Sequence, residues 1–338
     1  MERVAAEDSR VLTLHHRALI VDACNTAEWD ADYVARLHGS GVKCVWKTLA
    51  SQHGPLETLR DIAHWLEVFD RHRDTVTPVR RAEEIAHVVA AGRVAAVYTL
   101  QHTRPFDEDL GLVRVFYEMG IRVVQLTYNT RCAVGDGCLE PNDAGLSALG
   151  RRMVAALNRL GVVIDLSHGS RRTALDAIDA SASPVVISHA NAHALVANPR
   201  NVPDDVIRAL AAAGGVIGID AYLPHLSQDL DKAPSVDDMI AHVDHVVQLV
   251  GPRHVGFGLD LGEGRTLAQY LSYNFPVGAY PSWEQRQKNK TRGLERIDQF
   301  VNLTRGLVAR GYRDDDVVAI LGGNFLRVFE HATGVSSV

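Results

Sequence analysis

Residues 145–170, "GLSALGRRMVAALNRLGVVIDLSHGS", decide the fold. The first part repeats apolar residues at i, i+3 and i+4 and stops at Gly161. That is a helix buried along one face and ended by a residue suited to a left-handed turn. Directly after it, "VVIDLSH" (162–168) is nearly all apolar, as in a parallel strand covered on both faces. The pair makes one α/β unit, and its strand ends on polar side chains.

The same unit recurs in both directions. Val- and Ile-rich runs occur at "ALIVDAC" (18–24), "VKCVWKTL" (42–49), "VAAVYTLQ" (94–101) and "VVQLTYN" (123–129). After 162–168 come "PVVISHA" (184–190), "GGVIGIDAY" (214–222) and "HVGFGLD" (254–260). Helical segments lie between them. "LGLVRVFYEMG" ends at Gly120, "VPDDVIRALAAAGG" carries Pro203 at its first turn, and Ser235 caps "VDDMIAHVDHVVQLVG". Eight β/α alternations predict an α/β fold of the (β/α)8 TIM-barrel type, read as one domain over residues 1–338. A doubly wound sheet is the alternative, but no glycine-rich phosphate loop follows the first run. Residues 50–93 read as extra helical material. Residues 261–292, rich in aromatics, form a long loop that a barrel would place over its C-terminal mouth, as a lid or substrate wall, or else as a surface excursion or a dimer contact. The last segment, "RDDDVVAILGGNFLRVFEHAT", is expected to pack outside and close the ring.

Composition narrows the function. The 338 residues are 46% hydrophobic and 22% charged, with a formal charge of −6 and no basic block. Nucleic-acid binding is disfavoured electrostatically. No 18-residue apolar run suggests a membrane span, and the opening "MERVAAEDSRVLTLHHR" lacks a signal-peptide core, so the cytoplasm is the expected compartment. Four cysteines without CxxC spacing argue against a disulfide framework. Sixteen histidines mean that position must carry the argument.

A barrel brings its C-terminal strand ends to one mouth. They offer Cys24 and Thr26, Gln101 and His102, Tyr128 and Asn129, His168, His189, Tyr222, and Asp260. His168 and His189 share a Ser-His context ("DLSH", "VISH"), and with Asp260 they make a metal-ligand set. A lone His at a strand end is more often structural, and Asp260 alone could cap a turn. His102 should point away from Gln101 by strand alternation. His15, His16, His193, His225, His242 and His245 read as solvated or structural.

At these residues the sequence resembles the membrane (renal) dipeptidase family, the M19 metallopeptidases of the amidohydrolase-like, metal-dependent hydrolase barrels. The resemblance runs from about Ala18 to Glu330. It rests on residues 145–170, "PVVISHANAHALVANPRNVPDDV", "VGFGLD" and, for a bacterial branch, "QLTYNTRCAVGDGC". It implies a homodimer and zinc-dependent cleavage of dipeptides. It also implies a two-metal site built from a His-x-Asp pair, a bridging Glu, two histidines and an aspartate. His168, His189 and Asp260 match the last three, and Arg200 matches the arginine that takes the substrate carboxylate. The departures are sharper. Cys24-Asn25-Thr26 stands in place of His-x-Asp, Gln101 in place of the bridging Glu, and Tyr128 in place of a His that polarises the scissile carbonyl. Neutral Gln cannot offset two dications, so a single Zn²⁺ on His168 and His189 is expected, with Cys24, Gln101 or Asp260 as third ligand. Asp260 would then act as base, Tyr128 would stabilise the oxyanion, and Arg200 and Tyr222 would bind a dipeptide or amino-acid conjugate. The alternatives are a barrel that binds a small carboxylate without catalysis, and a different reaction on an amino-acid derivative.

Overall fold

The computed structural model describes residues 2–272 and 280–334. Eight parallel strands follow one another in the order β1 (Ile20–Asn25), β2 (Val42–Ala50), β4 (Val94–Leu100), β5 (Ile121–Gln125), β6 (Val163–Asp165), β7 (Val186–Ile187), β8 (Val216–Ile219) and β9 (Val255–Phe257). Helices alternate with them, and the result is a nearly closed (β/α)8 barrel. The seam between β9 and β1 is joined by Asp260 N donating to Cys24 O at 3.0 Å. The Asp22 carboxylate adds a second link, accepting from Leu259 N at 2.9 Å. Burial is the main cause that raises Asp22 to about 6.

The insertion at 50–93 is not wholly helical. Between the helices Pro55–Arg71 and Ala82–Ala90 runs β3 (Val76–Val79), which pairs with the first half of β4 from Val76↔Val94 to Val79↔Val97. Four residues including a proline give too short a run for periodicity to reveal.

Alternation along the strands sorts the core into two shells. Ile20, Val45, Ala96, Val124, Ile164, Ile187 and Ile217 meet the surrounding helices. Val21, Ala23, Cys44, Trp46, Ala95, Val97, Val123, Val163, Val186 and Val216 fill the interior. The final helix (Asn324–Thr333) was expected outside, but it belongs to the inner shell. Phe325, Val328, Phe329 and Ala332, one stripe at helical spacing, are buried with these residues, and the Trp46 and Phe325 rings lie 5.2 Å apart. The apolar base is thus sealed by side chains, and the polar residues are left at the mouth.

Of the loop at 261–292, residues 273–279 lie outside the described residues. The described parts include the short helices Leu267–Ser272 and Trp283–Lys288. Among the described residues no helix is long and apolar enough to cross a membrane.

Candidate functional site

β6 and β7 stop early because their C-terminal residues turn into the mouth. His168 adopts φ 62° and Asn129 φ 57°, left-handed conformations that non-glycine residues take at a cost and only where the surroundings hold them. What holds them is a chain of hydrogen bonds. Asp165 Oδ1 accepts from Ser167 N (2.9 Å), Ser167 Oγ (2.7 Å) and Ser188 N (2.9 Å), while Oδ2 accepts from Ser188 Oγ (2.5 Å). One buried carboxylate therefore sets both Ser-His corners.

The chain fixes the proton positions on the two imidazoles. Ser188 Oγ has one proton, and the carboxylate takes it. His189 Nδ1, 2.7 Å from the same oxygen, must then be the donor. His168 Nδ1 lies 2.7 Å from Asn129 Oδ1 and donates to it. Asn129 Nδ2 in turn donates to Tyr280 Oη at 2.6 Å, which orients the amide. Both Nε2 atoms therefore carry lone pairs, and they face each other at 3.0 Å. Burial above all, and then the positive Arg200 nearby, hold both rings well below the usual histidine range. Two neutral nitrogens with opposed lone pairs are an arrangement that a cation between them would stabilise.

Of the residues expected to meet substrate, Tyr128 and Arg200 lie against this pair. Tyr128 lies flat on His168, with centroids 3.9 Å apart at 18°. Arg200 is buried, its Nη2 donates to His189 O, and its Nε is buried without a partner. Its loop is fastened by Asn201 Nδ2 to Val196 O and to His225 O, both at 2.9 Å. His168 and Arg200 share a cavity of about 60 Å³. Tyr222 is buried beneath the Arg286 guanidinium, 4.9 Å from its ring centroid, and shares a second cavity of about 60 Å³ with Asp260.

The other side of the mouth is arranged differently. Gln101 Nε2 donates to Cys24 Sγ at 3.3 Å. Burial chiefly, then the carboxylates Asp260, Asp22 and Asp165, push the Cys24 thiol well above its usual value. Cys24 and Gln101, expected as third ligands, are therefore bonded to each other around a small cavity of about 10 Å³. Asp260 sits at φ 48° and accepts from Thr26 Oγ1 at 2.8 Å. Among the described residues no three His, Cys, Asp or Glu side chains are grouped to hold a metal. Glycine governs the approach between the two sides: a Cβ on Gly218 or on Gly258 would lie 2.0 Å from Ser188 O. Roomier clefts of about 240 and 340 Å³ lie around Lys47 and Trp65 and around His102 and Arg131, and neither includes a site histidine.

Residues 41–271 match the family model for membrane dipeptidase, peptidase family M19. The chain belongs to that family. Dipeptidase aclJ of Aspergillus oryzae is 29% identical over 273 residues, covering 79% of this chain and 58% of that protein. This chain thus spans about three fifths of the length of that relative. An amidohydrolase from Pseudomonas aeruginosa has a similar structure, with TM-score 0.89 and 28% identity over 96% of this chain and 99% of its own. The probable dipeptidase PvdM from Pseudomonas aeruginosa shares the fold, with TM-score 0.82 and 19% identity over 98% of this chain and 100% of its own.

M19 proteins are generally metal-dependent, so this chain's donor set bears directly on its chemistry. The facing lone pairs of His168 and His189 fit one metal ion as two of its ligands. The Cys24–Gln101 pair does not fit a second ion, because a buried neutral thiol and an amide supply no anionic charge there. Sequence reasoning missed three further participants. Asp165 was legible in principle, since it precedes the "LSH" corner and a carboxylate commonly orients a ligating His through an intermediary. Tyr280 and His225 gave no signal, because neither lies at a predicted strand end, and Asp220 lay within the predicted run 214–222 but was passed over for Tyr222.

Proposed function

We propose that this M19 barrel is a hydrolase of a dipeptide, or of a related small amide with a free carboxylate, using one zinc ion on His168 and His189. The observation that carries the reading is the pair of tautomer-fixed, neutral imidazoles with opposed Nε2 lone pairs. Zinc bound there would supply Lewis acidity toward a carbonyl and lower the pKa of water. Arg200, with its unpartnered Nε, binds the substrate's terminal carboxylate. Tyr222 walls the side chain next to Asp260. Asp260, aimed by Thr26, accepts the proton of the attacking water and returns it to the leaving nitrogen as the C–N bond breaks. Tyr128, braced on His168, donates to the oxygen that gains charge. The reading extends to a soluble homodimer acting on small molecules, which sedimentation checks.

Metal analysis of protein purified without chelator tests it. About one zinc per chain, lost in His168→Ala, together with turnover of dipeptides of either C-terminal stereochemistry, is the expected outcome. The sealed Cys24–Gln101 side favours a second reading, a barrel that binds a carboxylate without catalysis. Failure to take up zinc on soaking, with amino-acid binding retained, would decide for that reading.

A further inference from the structure

The mechanism above leaves one buried cation unused. Lys47, on β2, lines the cavity of about 240 Å³ together with Thr48 and Trp65. It is only 1% exposed, so it belongs to the deep end of that cavity. Its Nζ donates to Ala27 O at 2.6 Å, has Asn25 O at 3.5 Å, and lies 3.8 Å from the Trp65 ring centroid. Both oxygens are backbone carbonyls, and among the described residues no carboxylate is paired with Nζ. A buried positive charge without an opposite one beside it is costly. Arg265 borders the same cavity, and its positive charge acts against that of Lys47. An anion between them would relieve both burial and repulsion.

The acids of this cavity are engaged elsewhere. Glu28 Oε1 accepts from Gln269 Nε2 at 2.8 Å. Asp61 pairs with His53 at 2.5 Å, and their side chains, 30% and 49% exposed, mark the rim. His64 is exposed and packs its ring on Trp65, with centroids 5.5 Å apart.

Shared walls join this cavity to the site. Thr26 lines it and donates to Asp260 Oδ1 at 2.8 Å. Arg265, whose Nε donates to Thr26 O at 2.9 Å, also borders the cavity that holds Asp260 and Tyr222. Strand order gives the direction. β2 and β7 stand four places apart in the ring of eight, which puts Lys47 across the mouth from His189 and from the Arg200 bonded to it. A dipeptide with its terminal carboxylate at Arg200 and its amide over the two histidines points its amino-terminal half at this cavity.

We propose that the cavity around Lys47 is a subsite for a second carboxylate, carried on the amino-terminal half of the substrate, so that the protein selects acidic dipeptides over neutral ones. The inference rests on the dipeptide reading above and names the substrate class for it. Lys47 and Arg265 are then specificity-determining residues, with Trp65 as the apolar wall along the side chain that carries the carboxylate.

The test uses two stable probes, the phosphinate analogues of glutamyl-alanine and glutaminyl-alanine, which differ only by a carboxylate or an amide at the end of one side chain. Calorimetry on the full-length protein measures both at pH 6, where Lys47 is charged. Wild type is expected to bind the acidic analogue about 10-fold more tightly, the size of one charged hydrogen bond. Lys47→Met keeps the length of the side chain and removes its charge, and it should bring the ratio below about threefold. Arg265→Gln should lower the ratio as well. If Lys47→Met fails to fold by circular dichroism, Arg265→Gln decides. An unchanged ratio in the folded variants overturns the roles of these two residues. A wild type that binds both analogues equally, or the amide more tightly, overturns the acidic subsite and leaves the dipeptide reading standing. A wild type that binds neither overturns both.

Discussion

The two sides of the barrel mouth use similar strand ends for opposite purposes. At β6 and β7, Asp165, Ser188 and Asn129 direct every available proton to the outer nitrogens of His168 and His189, and two lone pairs are left exposed to each other. At β1 and β4, the Gln101 side-chain amide donates to the Cys24 thiol. One side is kept unsatisfied and the other is closed. Buried polar groups normally find partners, so the unsatisfied side is the one that the proposed metal would complete. The contrast supports the proposal of one metal ion rather than two, because Cys24 and Gln101 bring no charge of their own toward a second dication.

The contrast can be broken most directly at the histidines. His168→Ala or His189→Ala should abolish zinc binding and lower kcat/KM by about 1,000-fold or more, read by metal analysis and dipeptide turnover. Retained zinc in either variant would place the metal elsewhere. Arg200→Ala removes the carboxylate partner and should cost about 2–3 kcal/mol in kcat/KM, the range for a charged hydrogen bond. An unaltered kcat/KM would mean that Arg200 does not touch substrate. Ser188→Ala cuts the link from Asp165 to His189 and should weaken zinc about 10-fold, as for other supports of a ligating imidazole. Equal affinity in that variant would show that the tautomer is set some other way.

Cys24→Ser tests the closed side. Serine still accepts from Gln101, so zinc affinity and turnover should change less than about threefold. A large loss of zinc would make Cys24 a ligand and erase the contrast. The smallest effect concerns Lys47, which supports the same side by donating to Ala27 O at 2.6 Å. Burial is the main cause that lowers Lys47 to about 7. Between about pH 7 and the unfolded value of about 10.4, the unfolded chain therefore binds the extra proton, and stability rises with pH, by at most about 1.4 kcal/mol per unit. In denaturant titrations Lys47→Met should lose that slope. A slope equal to wild type would show that Lys47 stays charged, helped by the Trp65 ring whose centroid lies 3.8 Å from its Nζ.

The strand ends that carry the candidate residues were legible in the sequence. The Ser-His corners at His168 and His189 stood out because strand and helix periodicities place strand ends without reference to the rest of the chain. Arg200 and Asp260 followed from family motifs. The state of Cys24 was not legible, because its partner Gln101 is 77 positions away and Thr26 meets Asp260 across 234. His225 was set aside as solvated or structural, since a histidine on a four-residue helix carries no pattern. Only burial beside Asp220 shows its nitrogen to be unpaired. The last helix was misplaced for a related reason: an apolar stripe says that a helix packs, but not against which surface.

By itself the sequence determined the alternation of buried strands and one-faced helices, hence the barrel, and the set of side chains delivered to its mouth. Tertiary structure alone decided which nitrogens hold protons, which pair of residues closes on itself, and which helix seals the base. Periodicity is written in neighbouring residues, whereas hydrogen-bond satisfaction is settled between residues that only the closed barrel brings together.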